Sequence, residues 1–451
     1  MELRPRAGTD ALTLGGAFGV VHYGILLLWI APALAAETAL APAAYVLVAT
    51  AAAIVPAASV EAAHRLRYGL GVPPWLALAT AWVAGEWLRA HLGPLSFPWL
   101  GLAASVSDHP LLLAPAAWLG ERGIAFGLVA ANVVWATLLI PVRPSAVGRR
   151  RRLLPAAIGA LVVAGTVWAG ARGPSGGATD VIGPRLRVAV VSTDYPRGGT
   201  PDAPTATERV DWMALELESA GPVDLVVLPE AFIPIPWGQT PLVGRAVRAA
   251  AERLQAPFVL GTLREDSAGG VHNSVVSVTP SQQNFVDKDK RVPWVESGFA
   301  SGTGARPLEV GDHSLAVLIC FEAAFGGYAR RLTRDGGLPI MNLTSDAWFP
   351  ARGVGSWGRA QQMAHLPLRA VENGTAVLRV ANRGVSVWYD SRGRVRGSSQ
   401  RPGVEVFSVY SGSTPTLFGR TGDVLGPLAL FLTLIAMFRG AVEPLGSETL
   451  Y

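Results

Sequence analysis

The chain has 451 residues, 50% of them hydrophobic and only 16% charged. Soluble globular chains usually approach a quarter charged, so this balance excludes a disordered or fibrous protein and argues against a wholly soluble one. The net charge is +5, and the single cysteine, Cys320, excludes both an intramolecular disulfide framework and a cysteine-rich metal site.

The apolar excess is concentrated in six runs, 11–30, 35–60, 72–90, 123–142, 153–170 and 424–438, the last extendable back to Thr421. A crossing helix needs about 17–25 such residues. The segment 99–120 is nearly as apolar but carries Asp108, His109 and two prolines. Charge parity decides against a crossing there. With Arg4 and Arg6 inside, six crossings leave His64, Arg65, Arg67 and the run Arg149, Arg150, Arg151 and Arg152 all cytoplasmic, as the inside-positive bias expects. A seventh crossing would move the four-arginine run outside. The same position makes that run a membrane anchor and not a nucleic-acid site. The first run is not a cleavable signal, because further spans follow it.

The expected organisation is therefore a five-helix transmembrane region at 1–170 with an external loop at 92–121 that rests on the helices. A Gly/Pro/Ser linker (171–185) leads to an extracytoplasmic domain at 186–420. A transmembrane helix at 421–438 and a cytoplasmic tail at 439–451 end the chain.

Within 186–420 short apolar runs alternate with amphipathic pieces. Strands are expected at 186–192, 223–230, 256–263, 272–280, 314–322, 338–344, 375–382 and 384–390. Helices are expected at 206–220, 242–254, 325–334 and 357–373. This alternation predicts a layered α/β sandwich. Glu230 closes one buried strand, Cys320 closes another, and Lys288 lies in the charged loop VDKDKRVPW. Taken singly, a buried cysteine is often a small hydrophobe and a lysine in such a loop is often solvated. Together they make an acyl-transfer site. Glu230 would take the thiol proton, Cys320 would attack an acyl carbonyl and hold a thioester, and Lys288 would stabilise the oxyanion.

In order along the chain these segments resemble the nitrilase-type carbon–nitrogen hydrolase superfamily, and specifically its membrane branch, the apolipoprotein N-acyltransferases. LPEAFIP (228–234) is similar to the family's Pro-Glu segment. KDKRVPWVE (288–296) resembles its lysine segment, and ICFE (319–322) its nucleophile segment. MNLTSDAWF (341–349) and RAVENG (369–374) continue the match, as do Arg379, Asn382, Gly384 and Ser386. EWLR (86–89), FPWL (97–100) and RTGD (420–423) resemble stretches of the membrane branch.

The resemblance implies an α-helical transmembrane bundle joined to a nitrilase-like α-β-β-α sandwich. It implies catalytic Glu230, Lys288 and Cys320, supported by Glu296, Glu322, Asn342, Asp346, Arg369 and Glu372. Phe321, Trp348 and Phe349 are candidates for the pocket wall. It implies no cofactor and no metal. The acyl donor would be a membrane phospholipid, and the acceptor the amino group of a diacylglyceryl-cysteine lipoprotein. The setting would be the bacterial inner membrane, crossed several times, with the catalytic domain on the periplasmic face.

The chain departs from the pattern at Ser192, where a Gln is usual, at Phe321 in place of a tyrosine and at Val295 in place of a glycine. The interval 297–319 is shorter than is usual. Two alternatives follow: a membrane-anchored amidase or acyltransferase with another acceptor, and a non-catalytic lipid-binding or assembly protein.

Overall fold

The computed structural model describes residues 9–139, 183–196, 200, 202–292, 295–410, 412–414 and 416–442, with scattered positions from 157 to 168. The chain divides into two compact units. One comprises Met1–Ala103, Glu121–Ala171 and Asp423–Tyr451, the other Ala104–Gly120 and Arg172–Gly422.

The first unit is helical. Its helices are Thr9–Leu26, Ile30–Leu34, Ala41–Gly69, Pro74–Ala90, the part of Ala116–Leu139 beyond Gly120, and Leu425–Val442. Among the described residues one helix, Ala41–Gly69, is long and apolar enough to cross a membrane, and it supports membrane association. Asp10–Leu26 and Leu425–Phe438 are shorter apolar helices. The run predicted at 153–170 lies mostly outside the described residues. Gly15 and Gly19 bring the first helix against Ala41–Gly69. A Cβ at Gly15 would sit 2.7 Å from the Pro56 carbonyl oxygen, and one at Gly19 would sit 2.8 Å from that of Ala53. Small residues four apart allow this backbone approach, which packs helices without polar contacts. Glu86 supplies the polar fastening. It accepts from Arg122 at 2.9 Å, from the Leu102 amide at 2.8 Å and from Trp82 Nε1 at 3.1 Å.

Among the described residues, the second unit is built on thirteen strands. They are β1 (Arg185–Ser192), β2 (Leu225–Val227), β3 (Ile233–Pro236), β4 (Phe258–Glu265), β5 (Val271–Val278), β6 (Gln283–Asp287), β7 (Leu308–Val310), β8 (His313–Ile319), β9 (Ile340–Ser345), β10 (Val377–Asn382), β11 (Ser386–Tyr389), β12 (Val395–Ser399) and β13 (Gly403–Tyr410). They form two sheets, ordered β13-β1-β2-β4-β5-β6, with β3 beside β4, and β12-β11-β10-β9-β8-β7.

Alternation along the strands fixes the layers. Val188 and Val190 of β1 and Leu315, Val317 and Ile319 of β8 point into one core between the sheets. Ala189 and Val191 face helices Ala206–Glu216 and Pro241–Leu254 in a second core. Ala316 and Leu318 face helices Gly326–Arg334 and His365–Asn373 in a third. The result is an α-β-β-α sandwich. Its central strands are apolar on both faces because helices cover both sheets.

Residues 99–120 fold as the short pieces Pro98–Leu100, Leu102–Val106 and Pro110–Leu113, followed by the start of Ala116–Leu139. Residues 104–120 group with the α/β unit. Leu113 is fully buried there, and a Cβ at Gly393 would meet it at 2.9 Å. Gly120 has φ 64°, and a Cβ on it would lie 2.4 Å from the Phe418 ring. The predicted helix 357–373 is two helices, Trp357–Met363 and His365–Asn373. Pro367 has no amide to give to the Met363 carbonyl, so the ladder breaks between them.

Candidate active site

Glu230 follows β2 through Leu228 and Pro229, and Ala231 after it has φ 50°. The turn lies directly over β4. A Cβ on Gly261 would come within 2.5 Å of Glu230 Cα, so only glycine admits the approach. Cys320 begins a tight turn, Cys320–Ala324, at the end of β8, with φ 51°. A non-glycine residue there is strained and must be held. Asn342 on β9 holds it. Its amide donates to the carbonyls of Leu318 at 3.0 Å and of Cys320 at 3.3 Å. Lys288 follows β6, the edge strand of the first sheet.

These strand ends meet in one buried cluster. Lys288 Nζ lies 2.6 Å from Glu296 Oε1 and 3.7 Å from Glu230 Oε1, and the lysine is 2% exposed. Glu230 also accepts from Asn273 Nδ2 at 2.8 Å and from the Ser345 amide at 2.9 Å. Glu296 takes a further 2.6 Å bond from the Val292 amide. The Cys320 thiol feels the charges of Glu230, Lys288 and Glu296. Glu322 accepts from the amides of Ile319 (2.8 Å), Asp289 (2.7 Å) and Lys290 (3.1 Å). One carboxyl thereby joins the lysine loop to the cysteine turn.

Electrostatics follow from this packing. Burial raises the Glu230 carboxyl against the pull of Lys288, and the neighbouring charge of Glu296 raises it further. Burial alone would lower Lys288, but its anionic neighbours, Glu296 first, outweigh that and hold it above its ordinary value. Burial and the Glu230 charge push the Cys320 thiol up to about 12, while Lys288 pulls the other way. Burial lifts Glu322 to about 7 against its three backbone donors. At neutral pH the lysine is charged and the thiol keeps its proton. Its deprotonation therefore needs the adjacent base.

The remaining expected residues divide. Asp346 follows β9 and binds Arg379 at 2.6 Å, both side chains fully buried, with Arg359 at 3.3 Å. A Cβ on Gly384 would fall 1.9 Å from its carboxylate. The pair braces the end of the strand that carries Ser345. Arg369 and Glu372 pair at 3.0 Å inside helix His365–Asn373, beside Gly326. They brace that helix. Phe321 is buried and packs edge-on to Phe325 at 5.2 Å, as a core residue does. Trp348 and Phe349 are half-buried in and just after the turn Asp346–Trp348.

Two further contacts escape sequence reasoning: Asn273 on Glu230, and Gln362 on the cysteine. Gln362 Nε2 lies 3.1 Å from Cys320 Sγ and 3.1 Å from Thr344 Oγ1. Asn273 could have been suspected as a polar residue inside an otherwise buried strand. Among the described residues no group of three or more His, Cys, Asp and Glu side chains is placed to hold a metal ion.

Comparison with known proteins gives two matches in chain order. Residues 2–134 match the model of the apolipoprotein N-acyltransferase N-terminal domain, and residues 187–404 match that of carbon–nitrogen hydrolase. The apolipoprotein N-acyltransferase of Geobacter metallireducens is 25% identical over 384 residues, 78% of this chain and 72% of that one. That of Azotobacter vinelandii is 29% identical over 401 residues, 82% of this chain and 74% of that one. A solved carbon–nitrogen hydrolase superfamily protein of Xanthomonas campestris aligns with 58% of this chain and 100% of its own, at 20% identity and a TM-score of 0.41. The second match marks a Cys-dependent catalytic domain, and Cys320 is the only cysteine available to it. The chain belongs to the apolipoprotein N-acyltransferases, the membrane branch of the carbon–nitrogen hydrolase superfamily.

Proposed function

We propose that this protein moves an acyl chain from a membrane phospholipid to the amino terminus of a diacylglyceryl-cysteine lipoprotein, through a thioester on Cys320. In the first half-reaction Glu230 takes the thiol proton as sulfur attacks the glycerol ester carbonyl. Lys288 faces the oxyanion that develops. The carbon–oxygen bond breaks, the glycerol oxygen receives the proton from Glu230, and a lysophospholipid leaves. In the second half-reaction the neutral amine attacks the thioester. Glu230 takes an amine proton and returns it to sulfur, the amide forms, and the thiol is restored.

The observation that carries this reading is the buried set of Glu230, Lys288 and Glu296 acting on the chain's one thiol. The matched N-terminal domain and the membrane-length helix Ala41–Gly69 support a lipid-side setting. We read the chain as crossing the inner membrane several times, at 1–170 and 421–438, with 186–420 on the periplasmic face.

Mass spectrometry of a lipoprotein amino terminus tests the proposal, in cells depleted of their own N-acyltransferase and supplied with this chain. Triacylation is expected with the wild type and none with Cys320→Ala; triacylation by Cys320→Ala refutes it. Reporter tags at residues 148 and 175 test the orientation, with the cytoplasm expected for the first and the exterior for the second. The short interval 297–319 favours a second reading, a hydrolase with water as acceptor, in which free fatty acid appears and the lipoprotein stays diacylated.

A further inference from the structure

Cys320 carries a polar contact on a side that the carboxylate–lysine cluster does not account for. Helix Trp357–Met363 turns Gln362 inward, where it is 2% exposed. Its Nε2 is 3.1 Å from Cys320 Sγ and 3.1 Å from Thr344 Oγ1, so one amide joins the thiol to the Thr344 hydroxyl. Oε1 of Gln362 is buried without a hydrogen-bond partner. Turning the amide over would bury two unpaired donors in place of one unpaired acceptor, so the orientation with nitrogen on sulfur is the favoured one.

The directions of the bonds then follow. Gln362 gives one hydrogen to sulfur and one to the Thr344 oxygen, so its own position is fixed by the hydroxyl while it donates to the thiol. With a sulfur lone pair engaged by that donor, the thiol's own hydrogen is available to the base. We propose that Gln362, positioned by Thr344, is a neutral donor that stabilises negative charge on the Cys320 sulfur as its proton leaves, and that Gln362 is a further catalytic residue. A neutral donor suits this place. A second cation would bind Glu230 and weaken the base, whereas an amide stabilises the thiolate and leaves the site's net charge unchanged.

The inference rests on Cys320 being the nucleophile, and its test keeps the two apart. Because the chain has one thiol, the rate of iodoacetamide alkylation of the full-length protein in detergent reports Cys320 alone. Loss of a donor to a thiolate raises the thiol by about one pH unit. Thiolate becomes about ten-fold scarcer but intrinsically more nucleophilic, so Gln362→Leu should alkylate about three-fold more slowly between pH 7 and 10. Gln362→Glu, of the same shape, should be slower still, since its carboxylate repels the thiolate. Thr344→Val should move in the same direction as Gln362→Leu. Rate profiles of Gln362→Leu and Gln362→Glu that superimpose on the wild type overturn the proposal. Intact-mass detection of an acyl adduct on Cys320 is run in parallel. A wild type without the adduct overturns the nucleophile reading; an adduct in the wild type with unchanged variant profiles overturns only the part assigned to Gln362.

Discussion

Replacing Glu296 with glutamine tests how the site balances its charges. Glu296 uses both oxygens, one on Lys288 Nζ at 2.6 Å and one on the Val292 amide at 2.6 Å. Glutamine has one oxygen, so one of the two contacts becomes donor against donor. Lys288 keeps Glu230 as its counter-ion, but at 3.7 Å. Removing one partner of a buried pair costs about 3–5 kcal/mol, and the retained Glu230 puts this case at the low end, ~3 kcal/mol. For a domain of this size that lowers the thermal midpoint by about 6–12 °C.

The same variant should move the pH profile in a defined direction. The charge of Glu296 raises Glu230, and Lys288 lowers it. Glu296→Gln removes the first influence and lets the lysine move toward Glu230, so both changes lower the base. The acid limb of adduct formation on Cys320 should shift to lower pH, and the plateau should fall because the base is weaker. Differential scanning fluorimetry and adduct formation against pH are the assays. A thermal midpoint within 2–3 °C of the wild type, with an acid limb unmoved or moved upward, would refute the charge balance described here.

Two further predictions concern the elements around the site. Glu322 titrates at about 7 in the folded protein against 4.5 for an ordinary glutamate. Its proton is held on folding, so its contribution to stability is complete below pH 4.5 and is lost as pH rises through about 7, a span worth ~3 kcal/mol. Chemical denaturation at pH 5 and pH 8 should show this loss in the wild type, and Glu322→Ala should be less pH-dependent. Gly120→Ala forces a side chain onto φ 64° and against Phe418, and should destabilise the α/β unit by about 2 kcal/mol or more. An unchanged unfolding midpoint would separate 104–120 from that unit.

The strands that position the site were legible because burial on both faces leaves a mostly apolar run. β2 and β8 read this way, β1 does so after Arg187, and β9 is led by Ile340, Met341 and Leu343 although Asn342 and Thr344 interrupt it; Glu230 and Cys320 stand just beyond the ends of β2 and β8. The edge strands were not legible. β6 (QNFVD) and β12 (VRGSS) are largely solvated, and β3 (IPIP) carries two prolines, so none offers a run or a clear alternation. What 104–120 packs against was not legible either, because Leu113 needs only an apolar neighbour. Gln362 gave no signal at all. A glutamine in a short helix reads as a solvated residue until the neighbouring strand end is placed beside it.

The proton inventory explains why the cysteine begins as a thiol. One cation, Lys288, faces two carboxylates, Glu230 and Glu296, so the cluster is already negative when both are ionised. A free thiolate would add a second uncompensated charge in a site where Lys288 is 2% and Glu230 7% exposed, and desolvation opposes that strongly. The sulfur proton can leave at little electrostatic cost only if Glu230 receives it, since that transfer keeps the total charge fixed. In the proposed reaction, carbonyl attack would then move the new charge from sulfur to the oxyanion that Lys288 is assigned to stabilise. The depressed thiol that makes some cysteines reactive at rest is absent from this arrangement. In the proposed reaction, reactivity would depend on the base and an acyl group being present together.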